Sequence, residues 1–251
     1  MIQILLSGAG GKMGQVISRS VSERVDCRIA AGIDRQSAAV DYLIFEKPSD
    51  CDVCCDVIID FSHPSLLEPL LDYAVSHKIP AVVCTTGLSP EQVDKLKEAA
   101  DKIPVFFSAN MSLGVSLLCE LAKKAAKVLG SDFDIEIIEK HHNRKLDAPS
   151  GTALMLADAV NEENNGAYHY VYDRSSVRAK RDPMEIGISS VRGGSIVGDH
   201  EGLFCGPDEV ITLKHTAYSR SVFANGAINA AIYLAKKEPG LYNMSDLISE
   251  R

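Results

Sequence analysis

The stretch from residue 139 to residue 153 concentrates side chains that can move protons and hold anions. His141 and His142 are adjacent, and Lys145 follows three residues later. An imidazole has an unperturbed pKa of about 6.5 and suits a general acid at neutral pH. An ammonium group can donate a hydrogen bond to a developing charge or hold a carboxylate. These residue types predict a proton donor beside a bound anion.

Residues 150–152, Ser-Gly-Thr, lie where an apolar pattern predicts a helix over 152–160. The backbone N–H groups of a helix start and the helix dipole favour an anion at this position. A strand is predicted over 134–138, just before the two histidines. Adjacent residues of a strand point to opposite sides, so His141 and His142 are expected to have different roles.

Other polar residues near these positions allow more than one interpretation. Asp147 can neutralise Lys145 or fix the turn that follows it, and we favour the turn. Arg144 is interpreted as solvated or interfacial. His200 and His215 lie on strand-like patterns and are interpreted as structural.

A glycine-rich loop lies at the beginning of the chain. Gly8, Gly10 and Gly14 nearly fit G-x-G-x-x-G, with the last spacing one residue longer. An apolar strand pattern over 2–6 precedes the loop, and a helical pattern follows it. Such glycines allow a tight turn and close backbone approach to a pyrophosphate, while the helix start supplies positive dipole. The loop therefore predicts a dinucleotide site.

The second predicted strand, 27–33, ends in Asp34 and Arg35. An acidic residue at this point typically binds the ribose hydroxyls of NAD. The guanidinium of Arg35 could instead face the 2′-phosphate of NADP. The pair could also be a solvated strand end. The sequence leaves the choice between NADH and NADPH open.

Strand and helix patterns alternate through residue 107, which predicts an α/β fold with a Rossmann-like, doubly wound parallel sheet. Ligands bind such sheets beyond the carboxyl ends of the strands. The glycine loop, residues 84–86 and residues 108–111 are all expected at that edge.

The pattern changes after residue 111. A long helix is predicted over 114–128, and the strand patterns at 186–191, 195–204 and 209–215 follow one another without helices between them. This grouping predicts a second α+β domain with a mixed or antiparallel sheet. A closing helix, predicted over 222–235, is expected to pack on the first domain. The predicted domains are a dinucleotide-binding domain, 1–112 with 221–251, and a substrate-binding and oligomerisation domain, 113–220.

Composition limits the possible functions. The chain has 251 residues, 46% of them hydrophobic and 24% charged, and a formal net charge of −8. It is long enough for two modest globular domains. Negative charge without a basic block argues against binding nucleic acid. No apolar run approaches about 20 residues, so no membrane span is expected.

The seven cysteines are an odd number and are scattered along the chain. This distribution is typical of reduced thiols in the cytoplasm. The first residues enter a strand pattern directly and lack the regions of a signal peptide. Cys51 and Cys54 form a C-x-x-C motif, but no second pair lies nearby to complete a zinc site. We therefore expect a cytoplasmic protein without a bound metal.

Residues 139–152 read E-K-H-H-N-R-K-L-D-A-P-S-G-T. This segment closely resembles the signature E-x-H-H-x-x-K-x-D-A-P-S-G-T-A of the dihydrodipicolinate reductase family. Residues 8–14, 85–87, 108–112 and 219–227 also resemble family segments and occur in the same order.

The resemblance implies a role for each matched position. His141 would be the catalytic proton donor, and Lys145 a second acid or hydrogen-bond donor. The cyclic dicarboxylate substrate would be held by His142, Ser150, Gly151, Thr152 and Arg220. The binding site for NADH or NADPH would be lined by Gly8, Ala9, Gly10, Gly11, Lys12, Met13, Asp34, Arg35, Cys84, Thr85, Thr86, Ser108, Ala109, Asn110 and Met111.

The implied reaction is hydride transfer from NADH or NADPH to ring C4 of dihydrodipicolinate (4-hydroxy-tetrahydrodipicolinate), which gives tetrahydrodipicolinate in the diaminopimelate route to lysine. The family commonly forms tetramers through the sheet of the second domain. Two alternatives are a two-domain dehydrogenase of another amino-acid semialdehyde and a non-catalytic dinucleotide sensor. A sensor is expected to have lost catalytic residues, whereas His141 and Lys145 are both present.

Overall fold

Residues 1–35, 39–108 and 110–250 are described by the computed structural model, and they separate into two units. Unit 1 comprises Met1–Leu113 and Arg220–Arg251, and unit 2 comprises Gly114–Ser219. These bounds lie within one residue of the predicted domain boundaries. The assignment of substrate binding and oligomerisation to the second domain stays a prediction. None of the described helices is both long and apolar enough to span a membrane.

The secondary structure of the described residues follows in chain order. The strands are β1 (Ile2–Ser7), β2 (Cys27–Ile33), β3 (Leu43–Phe45), β4 (Val57–Asp60), β5 (Ala81–Val83), β6 (Pro104–Phe107), β7 (Asp134–His141), β8 (His169–Val171), β9 (Glu185–Arg192), β10 (Gly198–Cys205), β11 (Val210–Ala217) and β12 (Gly240–Tyr242). The α-helices are α1 (Lys12–Ser22), α2 (Leu67–His77), α3 (Pro90–Ala100), α4 (Leu113–Leu129), α5 (Gly151–Glu163), α6 (Ser221–Leu234) and α7 (Met244–Ser249).

Unit 1 contains a seven-stranded sheet in the order β12-β6-β5-β4-β1-β2-β3, and each neighbouring pair is parallel. All four residues of β4 are buried, as expected for a central parallel strand covered on both faces. One apolar cluster packs α1 and α6 on the sheet, and a second cluster packs α2 and α3. The predicted Rossmann-like, doubly wound architecture is confirmed.

Local sequence explains how several of these helices begin and pack. Ser89 caps α3 by accepting a hydrogen bond from Gln92 N, and Pro90 occupies the first helical position. Helix α6 packs closely on the backbone of Met111, because a Cβ atom at Gly226 would lie 1.6 Å from the Met111 carbonyl oxygen. Glycine is therefore required where α6 passes this segment.

The sequence interpretation missed two strands of this sheet. Strand β3 lies within residues 36–56, a stretch whose pattern indicates only a connection. Strand β12 begins at Gly240, which reads in the sequence as a helix stop signal. Each strand has three residues, none of them fully buried, and lies at an edge of the sheet. Such short segments show no periodicity.

Unit 2 contains a five-stranded sheet in the order β11-β10-β7-β9-β8. Strands β7, β8 and β9 are parallel, whereas β10 is antiparallel to both of its neighbours. The predicted mixed sheet is confirmed. One apolar cluster joins α4 and α5 to a single face of this sheet.

Strand β7 alternates between exposed and buried positions along its length. Ile135 and Ile137 point into the apolar cluster and are at most 2% exposed. Glu139 and His141 continue the same buried stripe as polar residues, with Glu139 at 0% exposed. A buried carboxylate and imidazole at the end of an apolar stripe require specific partners.

Candidate active site

The glycine loop of unit 1 follows β1 and leads into α1. Gly8 has φ +79°, and a Cβ atom there would lie 2.5 Å from the carbonyl oxygen of Phe61. A Cβ atom at Gly14 would lie 2.2 Å from the Gly8 carbonyl oxygen. Both positions therefore require glycine, and the loop is held tightly against β4 and its own backbone.

The start of α1 is free to receive an anion. Its N-cap, Gly11, makes no side-chain capping hydrogen bond, and the first turn carries no acidic residue. No side chain of the first turn therefore offsets the positive end of the helix dipole. Asp34 Oδ2 accepts a 2.8 Å hydrogen bond from Gly10 N, which ties the end of β2 to the loop. This arrangement fits the pyrophosphate of a dinucleotide.

Two cavities lie at the carboxyl ends of the parallel strands of unit 1. The first, ≈ 540 Å³, includes Gly8, Gly11, Asp34 and Arg35 in its lining. The second, ≈ 380 Å³, includes Met13, Cys84, Thr85, Thr86, Ser108, Asn110 and Met111. Most of the residues predicted to line the cofactor are therefore gathered at one sheet edge, in cavities of the size that small molecules occupy.

The remaining cofactor predictions are placed differently. Ala9 is 0% exposed and packs in the core, so only its backbone faces the loop. Gly10 and Lys12 line other surface depressions. Ala109 lies outside the described residues. A direct contact of these four residues with the cofactor stays a prediction.

Three residues at the end of β4 were missed by sequence reasoning. Phe61 and Ser62 line both cavities, and the Ser62 hydroxyl is buried without a hydrogen-bond partner among the described residues. Asp60 is 0% exposed and accepts a 2.6 Å hydrogen bond from Thr85 Oγ1. The sequence could have indicated these residues, because β4 is a predicted parallel strand and its carboxyl end must lie at the same sheet edge as the glycine loop.

The thiol of Cys84 lies at this edge in a protonated form. Burial raises its pKa well above the usual value, and the negative charge of Asp60 raises it further. Cys84 therefore contributes a neutral, weakly polar surface to the second cavity.

His141, the predicted proton donor, lies in unit 2 and pairs with Glu139. The imidazole Nδ1 is 2.5 Å from Glu139 Oε2. His141 is 8% exposed. The pKa of His141 is lowered from its usual value, chiefly by burial. The hydrogen bond to Glu139 partly offsets this effect, and the positive charges of Lys145 and Arg192 lower the pKa further.

Besides His141, Arg192 and the Ser150 backbone hold Glu139, and the Ser190 side chain also forms a hydrogen bond with it. Arg192 donates from Nη1 to Oε2 at 2.8 Å and from Nη2 to Oε1 at 2.7 Å. Ser150 N donates to Oε1 at 3.1 Å. Burial alone would raise the pKa of Glu139, but the hydrogen bonds from Arg192 and His141 outweigh burial and lower it to about 2. The carboxylate is therefore ionised at neutral pH.

His200, interpreted from the sequence as structural, lies beside His141, the predicted proton donor. Its ring centroid is 5.1 Å from that of His141, with the two planes inclined by 71°. Its Nε2 is 3.0 Å from Ser150 Oγ. Burial, followed by the charge of His141, lowers the pKa of His200 to about 4. His200 is therefore neutral near pH 7.

Lys145 Nζ lies 2.9 Å from Asp147 Oδ2. The carboxylate of Asp147 thus forms the ion pair that was the alternative interpretation, and its backbone hydrogen bond is compatible with the favoured role in the turn. The hydrogen bond from Lys145 lowers the pKa of Asp147. The ion pair holds the ammonium group in the loop that follows β7.

The predicted anion-binding residues of unit 2 gather at the start of α5. Ser150 is the N-cap, and its Oγ accepts from Ala153 N at 3.1 Å. Gly151 is exposed, and a Cβ atom there would meet no atom within 4 Å. Thr152 is partly buried. The first turn carries no acidic residue, so the helix start can accept an anion.

Two predicted substrate residues lie outside α5. His142 follows β7, and its buried Nδ1 has no hydrogen-bond partner among the described residues. Arg220 belongs to unit 1, where it is the exposed N-cap of α6 and lines a surface depression with Lys12. Their contact with substrate stays a prediction.

Family models cover both parts of the chain. The model described as "Dihydrodipicolinate reductase, N-terminus" matches residues 2–111. The model described as "Dihydrodipicolinate reductase, C-terminus" matches residues 114–248. Together the two matches include every position of the predicted site.

Known relatives match over the full length. The chain is 47% identical over 250 residues to a 4-hydroxy-tetrahydrodipicolinate reductase of Caldanaerobacter subterraneus subsp. tengcongensis, covering 100% of this chain and 99% of that protein. It is 48% identical over 252 residues to the protein of the same name from Clostridium novyi, covering 100% of both. A solved structure of dipicolinate-bound dihydrodipicolinate reductase from Paenisporosarcina sp. TG-14 matches with a TM-score of 0.81 and 26% identity, covering 97% of each chain.

Proposed function

This chain belongs to the dihydrodipicolinate reductase family, and we propose that it catalyses the NADH- or NADPH-dependent reduction of dihydrodipicolinate (4-hydroxy-tetrahydrodipicolinate) to tetrahydrodipicolinate in lysine biosynthesis through diaminopimelate. One observation carries the proposal: the family signature folds into a buried, hydrogen-bonded imidazole together with a helix start that has no acidic residue in its first turn. A proton donor and an anion receptor are what reduction of a cyclic dicarboxylate requires.

The dinucleotide, when bound, supplies the hydride. The residues that would hold it are the glycine loop at the start of α1, Asp34 and Arg35 in the first cavity, and residues 84–86, 108, 110 and 111 in the second. The loop fits a pyrophosphate because two of its glycines leave no room for a side chain and the first turn of α1 has no acidic residue. The preference between NADH and NADPH is left open.

Residues of unit 2 provide the rest of the chemistry. His141 gives a proton to the substrate, and Lys145 donates a hydrogen bond or a second proton. The N–H groups at the start of α5, with His142, Gly151 and Thr152, hold the carboxylates. Arg220 adds a positive charge. The relative from Paenisporosarcina, which binds dipicolinate, supports a planar dicarboxylate as the ligand class.

The test is oxidation of NADH and of NADPH, followed in separate assays with freshly generated dihydrodipicolinate. We expect turnover with at least one dinucleotide and inhibition by pyridine-2,6-dicarboxylate. Absence of turnover with both dinucleotides would refute the proposal. Turnover on an amino-acid semialdehyde without such inhibition would identify the alternative dehydrogenase.

We also propose a homotetramer assembled through the sheet of unit 2, as the family resemblance implies. Helices α4 and α5 pack on one face of that sheet. The strands also carry exposed apolar residues, including Val191 at 44% and Val210 at 56% exposed. Size-exclusion chromatography with light scattering should give the mass of four chains, and the mass of one chain would contradict the proposal.

We place the enzyme in the cytoplasm, because the cysteines support a reducing compartment. All seven are free. Burial raises the pKa of Cys55 to about 12 and that of Cys119 to about 11, so both thiols are protonated and unreactive at neutral pH. Fractionation of cells that express the chain checks the compartment.

A further inference from the structure

The imidazole of His141 is fixed through one ring nitrogen. Its Nδ1 is 2.5 Å from Glu139 Oε2. Because the Glu139 carboxylate is ionised, it can only accept a hydrogen bond, so Nδ1 must carry the hydrogen. The neutral ring is therefore the Nδ1–H tautomer, with its lone pair on Nε2.

The carboxylate itself cannot turn. Its oxygens accept two hydrogen bonds from the guanidinium of Arg192, one from Ser150 N and one from His141. The Ser190 side chain also forms a hydrogen bond with this carboxylate. Arg192 also donates to the Asp147 carbonyl oxygen at 2.7 Å, which ties the clamp to the loop before α5. A bidentate guanidinium–carboxylate pair of this kind restricts both position and rotation.

The second ring nitrogen of His141 faces Gly198 on the neighbouring strand β10. A Cβ atom at this glycine would lie 3.1 Å from Nε2 and 3.5 Å from Cδ2. A side chain there would crowd the nitrogen that Glu139 does not engage. The absence of a side chain at Gly198 leaves Nε2 uncrowded on this side.

We propose that Glu139, clamped by Arg192, is the positioning residue of the proton donor: it holds the His141 ring so that Nε2 is the atom that gives its proton to the substrate. The inference rests on the proposed function and deepens it. In this step the Nε2–H bond breaks, the proton moves to the substrate, and the ring is left as the neutral Nδ1–H tautomer.

Glu139 has a second effect: its negative charge favours the protonated form of the buried His141 ring. The charged and titratable groups that act on His141 are Glu139 on its own strand, Lys145 on the following loop, Arg192 at the end of β9 and His200 on β10. Lys145 and Arg192 disfavour the imidazolium, and Lys145 is itself paired with Asp147. His200 is neutral near pH 7. His215, opposite His200, is also disfavoured as a cation by burial. Glu139 alone in this set favours the imidazolium.

The decisive experiment uses Glu139→Gln, which keeps the size and an acceptor oxygen but removes the charge. Long-range ¹H–¹⁵N spectra of the histidine rings give the tautomer and pKa of His141, assigned by comparison with His141→Gln. We expect an Nδ1–H neutral ring in the unmodified protein. In the variant we expect mixed tautomers and a lower pKa of His141.

Kinetics provide the second readout. A proton donor must be protonated, so activity falls as pH rises through its pKa, and a lower pKa moves this alkaline limb to lower pH. In Glu139→Gln we expect that shift together with a kcat about 100-fold lower and a KM within about threefold of the unmodified value. A merely structural role would lower activity equally at all pH values.

The matched control is Glu201→Gln. Glu201 lies on β10 and forms ion pairs with Lys140 and Lys214. The variant Glu201→Gln therefore loses comparable ion pairs on the same sheet. We expect its pH profile to match that of the unmodified protein. An Nε2–H neutral ring in the unmodified protein, or an unchanged tautomer and pKa in Glu139→Gln, would overturn the inference. If the unmodified protein shows no reductase turnover, the proposed function fails, while the spectra still decide the positioning role.

Discussion

The dinucleotide edge of unit 1 and the proton-donor cluster of unit 2 are built by different means. The first relies on backbone: Gly8 and Gly14 have no room for a Cβ atom, and the start of α1 lacks a side-chain cap. The second relies on buried charge: a fully buried carboxylate is shared by Arg192 and His141. Backbone amides keep the same charge at every pH, whereas the cluster responds to pH.

This difference predicts separable defects. A substitution that removes a titrating group in unit 2 should change turnover and its pH dependence but leave dinucleotide affinity intact. A substitution that crowds the glycine loop should change dinucleotide affinity without altering the pKa of His141. We expect the effects to decrease in size from the proton donor to the ribose-facing pair Asp34 and Arg35.

The largest effect is expected for His141→Gln. Removing a general acid lowers kcat by roughly 10²- to 10⁴-fold. Dinucleotide affinity, measured by fluorescence titration, should stay within about twofold of the unmodified value, because no substitution is made in unit 1. The control His169→Gln replaces an exposed histidine on β8 and should keep full activity. A matching loss of dinucleotide affinity in His141→Gln would contradict the expectation that defects in the two units are separable.

Gly14→Ala should weaken dinucleotide binding. The added Cβ atom would lie 2.2 Å from the Gly8 carbonyl oxygen and 2.5 Å from that of Ala9, and both obstacles are backbone atoms. Backbone strain of about 1–3 kcal/mol corresponds to a dissociation constant raised roughly 5- to 150-fold.

The control for Gly14→Ala is Gly193→Ala, where a Cβ atom would meet nothing within 4 Å. Its dinucleotide affinity should be unchanged. Unaltered affinity in Gly14→Ala would show that the loop does not hold the dinucleotide.

Acid should destabilise the protein through Glu139. The pKa of this carboxyl is lowered to about 2 in the folded chain, so its stabilising contribution is present above the unfolded pKa and is lost as pH falls towards the folded value. Between pH 5 and pH 3 we expect Glu139 to account for up to about 2 kcal/mol of the lost free energy of unfolding.

Urea unfolding at the two pH values checks this contribution, with Glu139→Gln as the comparison. The variant should lose less stability over that interval than the unmodified protein. Glu98→Gln removes an exposed ion pair with Lys95 and should follow the unmodified protein. Equal losses in Glu139→Gln and the unmodified protein would contradict a stabilising role for the buried charge.

The smallest effect concerns cofactor preference. Asp34 and Arg35 line the same cavity, together with Glu46. Asp34→Asn removes a negative charge near the expected position of a 2′-phosphate and keeps an acceptor for Gly10 N. The ratio of the NADPH dissociation constant to that of NADH should fall about fivefold, as expected for about 1 kcal/mol of relieved repulsion. Isothermal titration with both dinucleotides measures the ratio, and an unchanged ratio would exclude Asp34 as a determinant.

The sequence was sufficient for the parts of the molecule that are encoded locally. The apolar runs of β1 and β4 and the glycine spacing predict the parallel sheet, since burial on both faces leaves a continuous apolar pattern. The order of residues 139–152 places both histidines, Lys145 and the helix start within one stretch. The two confirmed sheets follow from these patterns.

Other features could not be read because they depend on contacts between distant residues. Arg192 lies 53 residues from Glu139, and His200 lies 50 residues from Ser150. Strand pairing brings these residues together, and a single sequence does not give its register. Gly198 could not be identified for the same reason, because its lack of a side chain matters only where β10 passes beside His141. Edge strands β3 and β12 are too short to show a period.

The central claim is that this chain transfers a hydride from a nicotinamide dinucleotide to the dicarboxylate that His141 protonates. The most direct measurement is mass spectrometry of the product formed from dihydrodipicolinate with NADH or NADPH in which both hydrogens at nicotinamide C4 are deuterium. We expect tetrahydrodipicolinate that carries deuterium from the dinucleotide, and a greatly reduced yield with His141→Gln. Product without deuterium, or dinucleotide oxidation without tetrahydrodipicolinate, would contradict the claim.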